Sequence, residues 1–282
     1  MAEFETLNPL SLKEALSLLT KTGVRPIAGG TDLLVRLYDT YPNPQPRLLV
    51  LDRVKPLHKV SINSHKIALG PLVTFSEIEQ SAEIIKYAPQ LAQAASIAGS
   101  TQIRNRATIG GNIANGSPAG DLIPPLYVLG AELELMSAKG KRTVPIEKFF
   151  LGPGKTVLKK SELITSTRFK KTFDYGFFLR LATRKALAIS KVSASANIAI
   201  KNNKITEIRI ALGAVAPTVI RTPRTEEYLL GKELTEQVIN EAAEIVIEEA
   251  RPIDDIRSIA VYRKEMVGVL LKRGLLGIIN SR

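Results

Sequence analysis

Apolar and polar positions along this chain change period repeatedly, as they do when short helices alternate with strands. Ser11-Leu12-Lys13-Glu14 reads as a capping box that opens a helix running to about Leu19. Val24 to Ile27 reads as extended and leads straight into Ala28-Gly29-Gly30, after which Leu33, Leu34 and Leu37 carry helical spacing. Leu48 to Leu51 has the look of a short buried strand, and Lys59 to Ile62 with Lys66 to Leu69 that of a hairpin. Thr74 to Glu77 matches a second capping box, and Leu91 to Ala98 is an alanine-rich helix. Thr108 to Ala119 is a Gly-, Asn- and Ser-rich loop, followed by Asp121 and an apolar run to Leu135. Arg142 to Pro145 and Leu163 to Phe169 read as extended.

The character changes near Thr172 to Gly176, where a domain boundary is expected. Beyond it, Lys191 to Ile200 and Ile205 to Leu212 flank Asn202-Asn203, a good two-residue hairpin turn. Two amphipathic helices close the chain, Leu234 to Ala250 and Ser258 to about Lys272. The second places Ile259, Tyr262, Met266, Val269 and Leu270 on one broad face. The sum is an α+β chain, a mixed N-terminal part followed by a sheet-plus-helices part.

Composition narrows the chemistry. The 282 residues, 45% of them hydrophobic, suffice for one large domain or two modest ones. No stretch approaches the roughly 18 to 20 apolar residues of a membrane span. The start carries Glu3 and Glu5 and lacks a basic-then-apolar leader, so a soluble cytoplasmic protein is expected. With no cysteine, the chain by itself makes no disulfide, thiolate nucleophile or cysteine-held iron–sulfur cluster. Two histidines, His58 and His65, leave no multi-histidine metal site, so redox chemistry would rest on an organic cofactor. The net charge of +12 is scattered, and aromatics make up 5%, too few for a base-stacking platform. Nucleic acid is therefore not the expected partner. The charge suits an anionic cofactor or acidic partner chains.

Two glycine pairs, about eighty residues apart, carry the candidate site. Ala28-Gly29-Gly30-Thr31-Asp32 sits where a strand hands over to a helix. Glycines there permit positive φ and close backbone approach, and successive amides make a nest for anionic oxygen beside a helix N-terminus. Thr31 adds a donor, and Asp32 reads as a cap or an orienter. Thr108-Ile109-Gly110-Gly111-Asn112 repeats hydroxyl, glycine pair and side-chain amide. One such pair alone is an ordinary turn. Together they could grip the pyrophosphate of a dinucleotide from both sides. Two rival motifs fail: no G-x-G-x-x-G follows the first strand, and Gly154-Lys155-Thr156 lacks a P-loop's first glycine, with Phe149 in its place.

At these residues the chain resembles the FAD-binding medium subunits of the molybdenum hydroxylases, the group of xanthine dehydrogenase and aerobic carbon monoxide dehydrogenase. The likeness is carried by Ile27 to Leu34 and by Gln102-Ile103-Arg104-Asn105 running into Ala107 to Ile113. It continues through Ser117 to Leu122 and Phe149 to Thr156, and weakly to the end. It implies a two-lobed FAD-binding domain of the vanillyl-alcohol oxidase or p-cresol methylhydroxylase type over 1–173, with lobes of about 1–57 and 58–173. A small α+β C-terminal domain over 174–282 follows. It further implies non-covalent FAD held by Ile27, Ala28, Gly29, Gly30, Thr31, Asp32, Leu33, Leu34, Thr108, Ile109, Gly110, Gly111 and Asn112. Asp121 would lie near the ribityl or adenosine side, Ile164 at the adenine side and Arg180 near the flavin. Molybdenum cofactor and [2Fe-2S] clusters are expected on a large and a small partner, with NAD or oxygen as acceptor.

Plainer roles stand beside these. Asp121 is equally a helix cap, Arg104 and Arg106 are solvated or phosphate-steering, and the histidines are surface or packing groups. Tyr175, Phe177 and Phe178 could stack on a cofactor, or simply pack at a domain junction. No catalytic acid, base or nucleophile stands out. The alternative is a self-contained FAD oxidoreductase of the same fold, like certain reductases of cell-wall synthesis.

Overall fold

The computed structural model describes residues 4–40, 42–171, 175–184 and 186–281. The expected boundary near Thr172 to Gly176 falls in part on 172–174, outside the described residues. Three larger sheets, one two-stranded hairpin and three cores organise the described residues. The first sheet is parallel, with Arg47–Val50 between Thr6–Leu7 and Val24–Ile27. Helix Leu12–Leu18 covers it with Ala15 and Leu16; Ser11 caps that helix by accepting the Glu14 N–H. Parallel strands need crossovers: this helix carries the chain from Thr6–Leu7 to Val24–Ile27, and helix Leu33–Thr40 from there to Arg47–Val50.

The second sheet is antiparallel, in the order Val60–Ile62, Lys66–Leu69, Leu163–Lys170, Glu132–Ser137, Gly140–Pro145. Helices Phe75–Gln80, Pro89–Ile97, Ile109–Asn115 and Ile123–Val128 share one core with it, where Ile67, Leu69, Leu91, Ile109 and Leu133 are fully buried. Thr74 begins the first of these helices with a complete capping box to Glu77.

The third sheet, also antiparallel, runs Tyr175–Ala182, Ser190–Lys201, Lys204–Gly213, Ile220–Arg221. Asn202 and Asn203 adopt φ of 51° and 62°, the left-handed pair that a two-residue hairpin turn requires. Helices Glu236–Glu249 and Ala260–Asn280 pack on this sheet. Because side chains alternate along a strand, Phe177 enters this third core while Phe178 enters the second, so one strand rivets the two together. These rings, with Tyr175, pack at the junction. No helix among the described residues is long and apolar enough to cross a membrane.

Two elements depart from expectation. The last helix runs on to Asn280 because Leu271, Leu275 and Ile278 continue its buried face and Gly274 lets the Phe177 ring approach. Its buried stripe is Arg263, Val267, Leu270, Leu271, so Ile259 and Tyr262 of the expected face are left in solvent. The stretch expected as a glycine loop holds helix Ile109–Asn115.

Candidate functional site

The strand Val24–Ile27 ends level with its neighbour Arg47–Val50, and the chain turns through 28–32 into helix Leu33–Thr40. Gly30 makes the turn with φ of 76°, a conformation costly for any residue with a Cβ. Among the described residues no acceptor takes the backbone N–H groups of Gly29, Gly30, Thr31 or Asp32. Four successive free donors at the head of a helix favour an anionic ligand. Gly29 is required for a different reason: an added Cβ would lie 1.8 Å from the Arg106 carbonyl oxygen. The first loop is thus pressed directly onto the chain leading into the second.

The second glycine pair works differently from the expected amide cradle. Thr108 is the N-cap of helix Ile109–Asn115, its hydroxyl accepting the Gly111 N–H at 3.1 Å. The Ile109 N–H donates to the Val73 carbonyl at 3.0 Å, Gly110 to Pro71 at 2.9 Å and Asn112 to Thr108 at 2.9 Å. These amides are already used inside the protein, as buried donors must be. Gly110 is needed because a Cβ would meet Pro71 at 2.4 Å. What this element gives the site is a bare surface at Gly111 and the side chains of Thr108 and Asn112. The Asn112 Oδ1 is buried without a hydrogen-bond partner.

Between the two elements lies a cleft of about 370 Å³, within the usual range of ligand pockets. It is lined by Ile27 to Leu33 on one side and by Thr108, Gly111 and Asn112 on the other. Leu34, Ile109 and Gly110 stand behind the lining, Ile109 and Gly110 buried. Gly154, whose N–H donates to the Gly116 carbonyl at 2.9 Å, closes one end from a short hairpin, Phe150–Gly152 with Lys155–Thr156.

Two residues that sequence reasoning passed over complete the rim. Arg36 donates to the Asn115 Oδ1 at 2.5 Å, tying the two helices across the cleft. Arg25 lines the same space, and among the described residues neither arginine is paired with a carboxylate. Their charges offset that of Asp32, which is exposed on the same loop. Only the spacing of Arg36 one turn after Asp32 could have signalled it. The flanking arginines are spoken for: Arg104 pairs with Glu79 at 3.0 Å and Arg106 with Asp52 at 3.2 Å. His58 contacts the Asp52 carbonyl at 3.0 Å.

Asp121, Ile164 and Arg180 contribute no side chain to the cleft. Ile164 packs in the second core. Arg180 donates to Asp121 at 2.5 Å and to the Ile97 carbonyl, and Ser190 donates to Asp121 at 2.6 Å. Two residues expected at different parts of a cofactor are therefore one ion pair, both side chains under a tenth exposed. It joins the second core's elements to the third sheet. Burial pushes the Asp121 carboxyl above its ordinary range, against the pull of Arg180 and Ser190. Arg180 also borders a separate groove, beside helix Pro89–Ile97 and the end of the last helix.

The donor set suits a dinucleotide cofactor: free amides and guanidinium groups without a carboxylate partner for a diphosphate, apolar walls at Ile27, Ala28 and Leu33 for the groups it links. Comparison with known proteins points the same way. Residues 2–169 match the FAD binding domain in molybdopterin dehydrogenase, and residues 177–278 the CO dehydrogenase flavoprotein C-terminal domain. The carbon monoxide dehydrogenase medium chain of Hydrogenophaga pseudoflava is 31% identical over 275 residues, 96% of each chain. The glyceraldehyde dehydrogenase medium chain of Sulfolobus acidocaldarius is 31% identical over 269 residues, 95% of each. Quinoline 2-oxidoreductase from Pseudomonas putida 86 superposes with a TM-score of 0.93 at 26% identity, covering 99% of this chain and 98% of that one. The expected α+β FAD domain with its C-terminal companion is borne out. The chain belongs to the FAD-binding medium subunits of the molybdenum hydroxylases, the flavoprotein components of oxidoreductase complexes.

Proposed function

We propose that this chain holds one FAD non-covalently and serves as the electron-transfer subunit of its complex. In this reading a large partner oxidises substrate at a molybdenum centre, and a small partner carries [2Fe-2S] clusters. Electrons then reach the FAD site here and leave to an acceptor such as NAD or oxygen. When bound, FAD supplies the redox chemistry that a cysteine-free chain lacks. The chain's own work is binding and placement. Amides of Gly29 to Asp32 would take the diphosphate, Arg25 and Arg36 would add charge, and Thr108 and Asn112 would bind from the facing helix. Asp121 and Arg180 would frame the cofactor indirectly, by fixing the seam between the domains at 1–173 and 174–282. Ile164 would do so from the core behind the adenine side.

The observation that carries this proposal is the run of four unpaired amides opening onto a cleft faced by a second, bare-surfaced helix. Its test is isolation of the tagged chain from native cells, with flavin absorbance, acid precipitation and metal analysis. The expected result is yellow protein that releases intact FAD on precipitation and carries molybdenum and iron in co-purifying chains. A colourless chain with no affinity for FAD would refute the cofactor assignment. An active yellow chain without metal-bearing partners would favour the self-contained oxidoreductase.

A further inference from the structure

Five of the fifteen exposed large apolar side chains among the described residues fall within ten positions of one another. They are Ile253 at 69% exposure, Ile256 at 105%, Ile259 at 61%, Val261 at 66% and Tyr262 at 38%. Ile256 sits at the tip of a tight turn, in which Asp255 and Ser258 exchange N–H···O bonds of 3.1 and 3.2 Å. Ile259 is the N-cap of the last helix, and Val261 and Tyr262 follow on its first turn.

This surface is built, not loose. The Asp255 carboxylate receives Arg257 and the buried Arg263, whose guanidinium also reaches the Ala214 carbonyl at 3.5 Å. Asp254 accepts the Ala260 N–H at 2.5 Å, and the Arg251 N–H donates to Val215 at 2.9 Å. A pre-ordered apolar surface loses little entropy on docking. None of the five side chains belongs to any of the three cores. Together the five side chains expose on the order of several hundred Å², a large part of the roughly 800 Å² that each partner gives a stable interface.

We infer that segment 253–262 is the contact surface for a partner subunit that presents an apolar recess with an acidic rim. This rests on the proposal that the chain is one subunit of a complex. A second copy of the chain is the poorer occupant, because each copy would bring a net charge of +12. Locally Arg251 is exposed with no carboxylate partner among the described residues, and Asp255 alone faces both Arg257 and Arg263, a positive excess that an acidic partner complements. The last helix also gains a purpose for Ile259 and Tyr262, apolar residues in helical register that the fold leaves uncovered.

The test uses the complex isolated through a tag on this chain, comparing wild type with Ile253→Asp/Ile256→Asp. Both positions are exposed, so melting temperature and flavin content should match wild type. Molybdenum and iron per chain should fall at least tenfold. An elsewhere-exposed control, Ile85→Asp (49% exposed in wild type), should retain both metals. Wild-type metal content in the double variant, or equal loss in the control, overturns the assignment. Wild-type dimers that the double variant dissolves would overturn it in favour of a second copy. Wild type without metal-bearing partners would instead defeat the parent proposal.

Discussion

Alanine at position 29 tests whether the first loop must press on the second. Gly29 does not need a left-handed conformation, so backbone strain is not the obstacle. Its Cβ would lie 1.8 Å from the Arg106 carbonyl oxygen, 2.6 Å from the carbonyl carbon and 3.1 Å from the Ala107 nitrogen. These are backbone atoms, and no rotamer change relieves them. Ordinary contact lies roughly 1.5 Å further out, so the loops must part by about that much. Overpacking of this kind costs about 1–3 kcal/mol, which lowers the melting temperature of a chain this size by roughly 3–10 °C. Both Gly29 and Ala107 line the cleft, so FAD affinity should fall at least tenfold as well. Gly111→Ala is the informative control. Gly111 lies inside a helix, where alanine is favoured by about 0.8–1.0 kcal/mol, and the added Cβ meets nothing nearer than the Thr108 hydroxyl at 3.0 Å. It should leave the melting temperature within about 2 °C of wild type yet weaken FAD binding, because its Cβ enters the cleft. Differential scanning fluorimetry and FAD titration separate the two effects. Unchanged melting and affinity in Gly29→Ala, or wild-type affinity in Gly111→Ala, would refute the packing argument.

Removing the clasp across the cleft, by Arg36→Ala or Asn115→Ala, should raise the FAD dissociation rate about fivefold, the worth of roughly one hydrogen bond. The double variant should be no faster than Arg36→Ala alone, as followed by flavin fluorescence; additive effects would deny that Asn115 acts through Arg36. Arg180→Met leaves the Asp121 carboxylate buried without its partner and should destabilise the fold by about 3–5 kcal/mol. Adding Asp121→Asn should recover part of the loss, and failure to recover any would show that the pair is not the cause. Acid should also unfold the protein through Glu162, whose carboxyl is held below its ordinary range by the paired hydrogen bonds of Arg142 at 2.8 Å. A depressed carboxylate contributes stability that is present above about pH 4 and is lost as pH falls further. Melting temperature against pH should therefore drop less steeply below about pH 4 in Glu162→Gln than in wild type; parallel curves would contradict this.

Features with local chemical causes were legible in the sequence. Ser11 and Thr74 cap as expected, and Asn202-Asn203 turns as expected, because each needs only neighbours a few residues away. The first glycine loop was recognisable for the same reason, lying between an apolar strand and a helically spaced run. Helix Ile109–Asn115 was not. Its glycines argue against a helix locally, and contact with Pro71, thirty-nine residues earlier, overrides them. The same helix shows why its glycine amides make no second cradle: Gly110 donates to Pro71 and Gly111 to the Thr108 hydroxyl, which keeps its own proton to donate. The Asp121–Arg180 pair spans 59 residues and the Arg36–Asn115 clasp 79, distances over which no sequence period speaks. Resemblance to a family placed Asp121 and Arg180 near a cofactor; it did not place them on each other.

Amide hydrogen exchange at residues 29–32, without and with FAD, reaches the central proposal most directly. These N–H groups have no acceptor among the described residues, so they should exchange fast in the cofactor-free chain and slow by at least tenfold once FAD is bound. Ile109 and Gly110, already bonded to Val73 and Pro71, should be protected in both states. Tight FAD binding with residues 29–32 still exchanging freely would contradict the account, because the diphosphate would then be seated elsewhere.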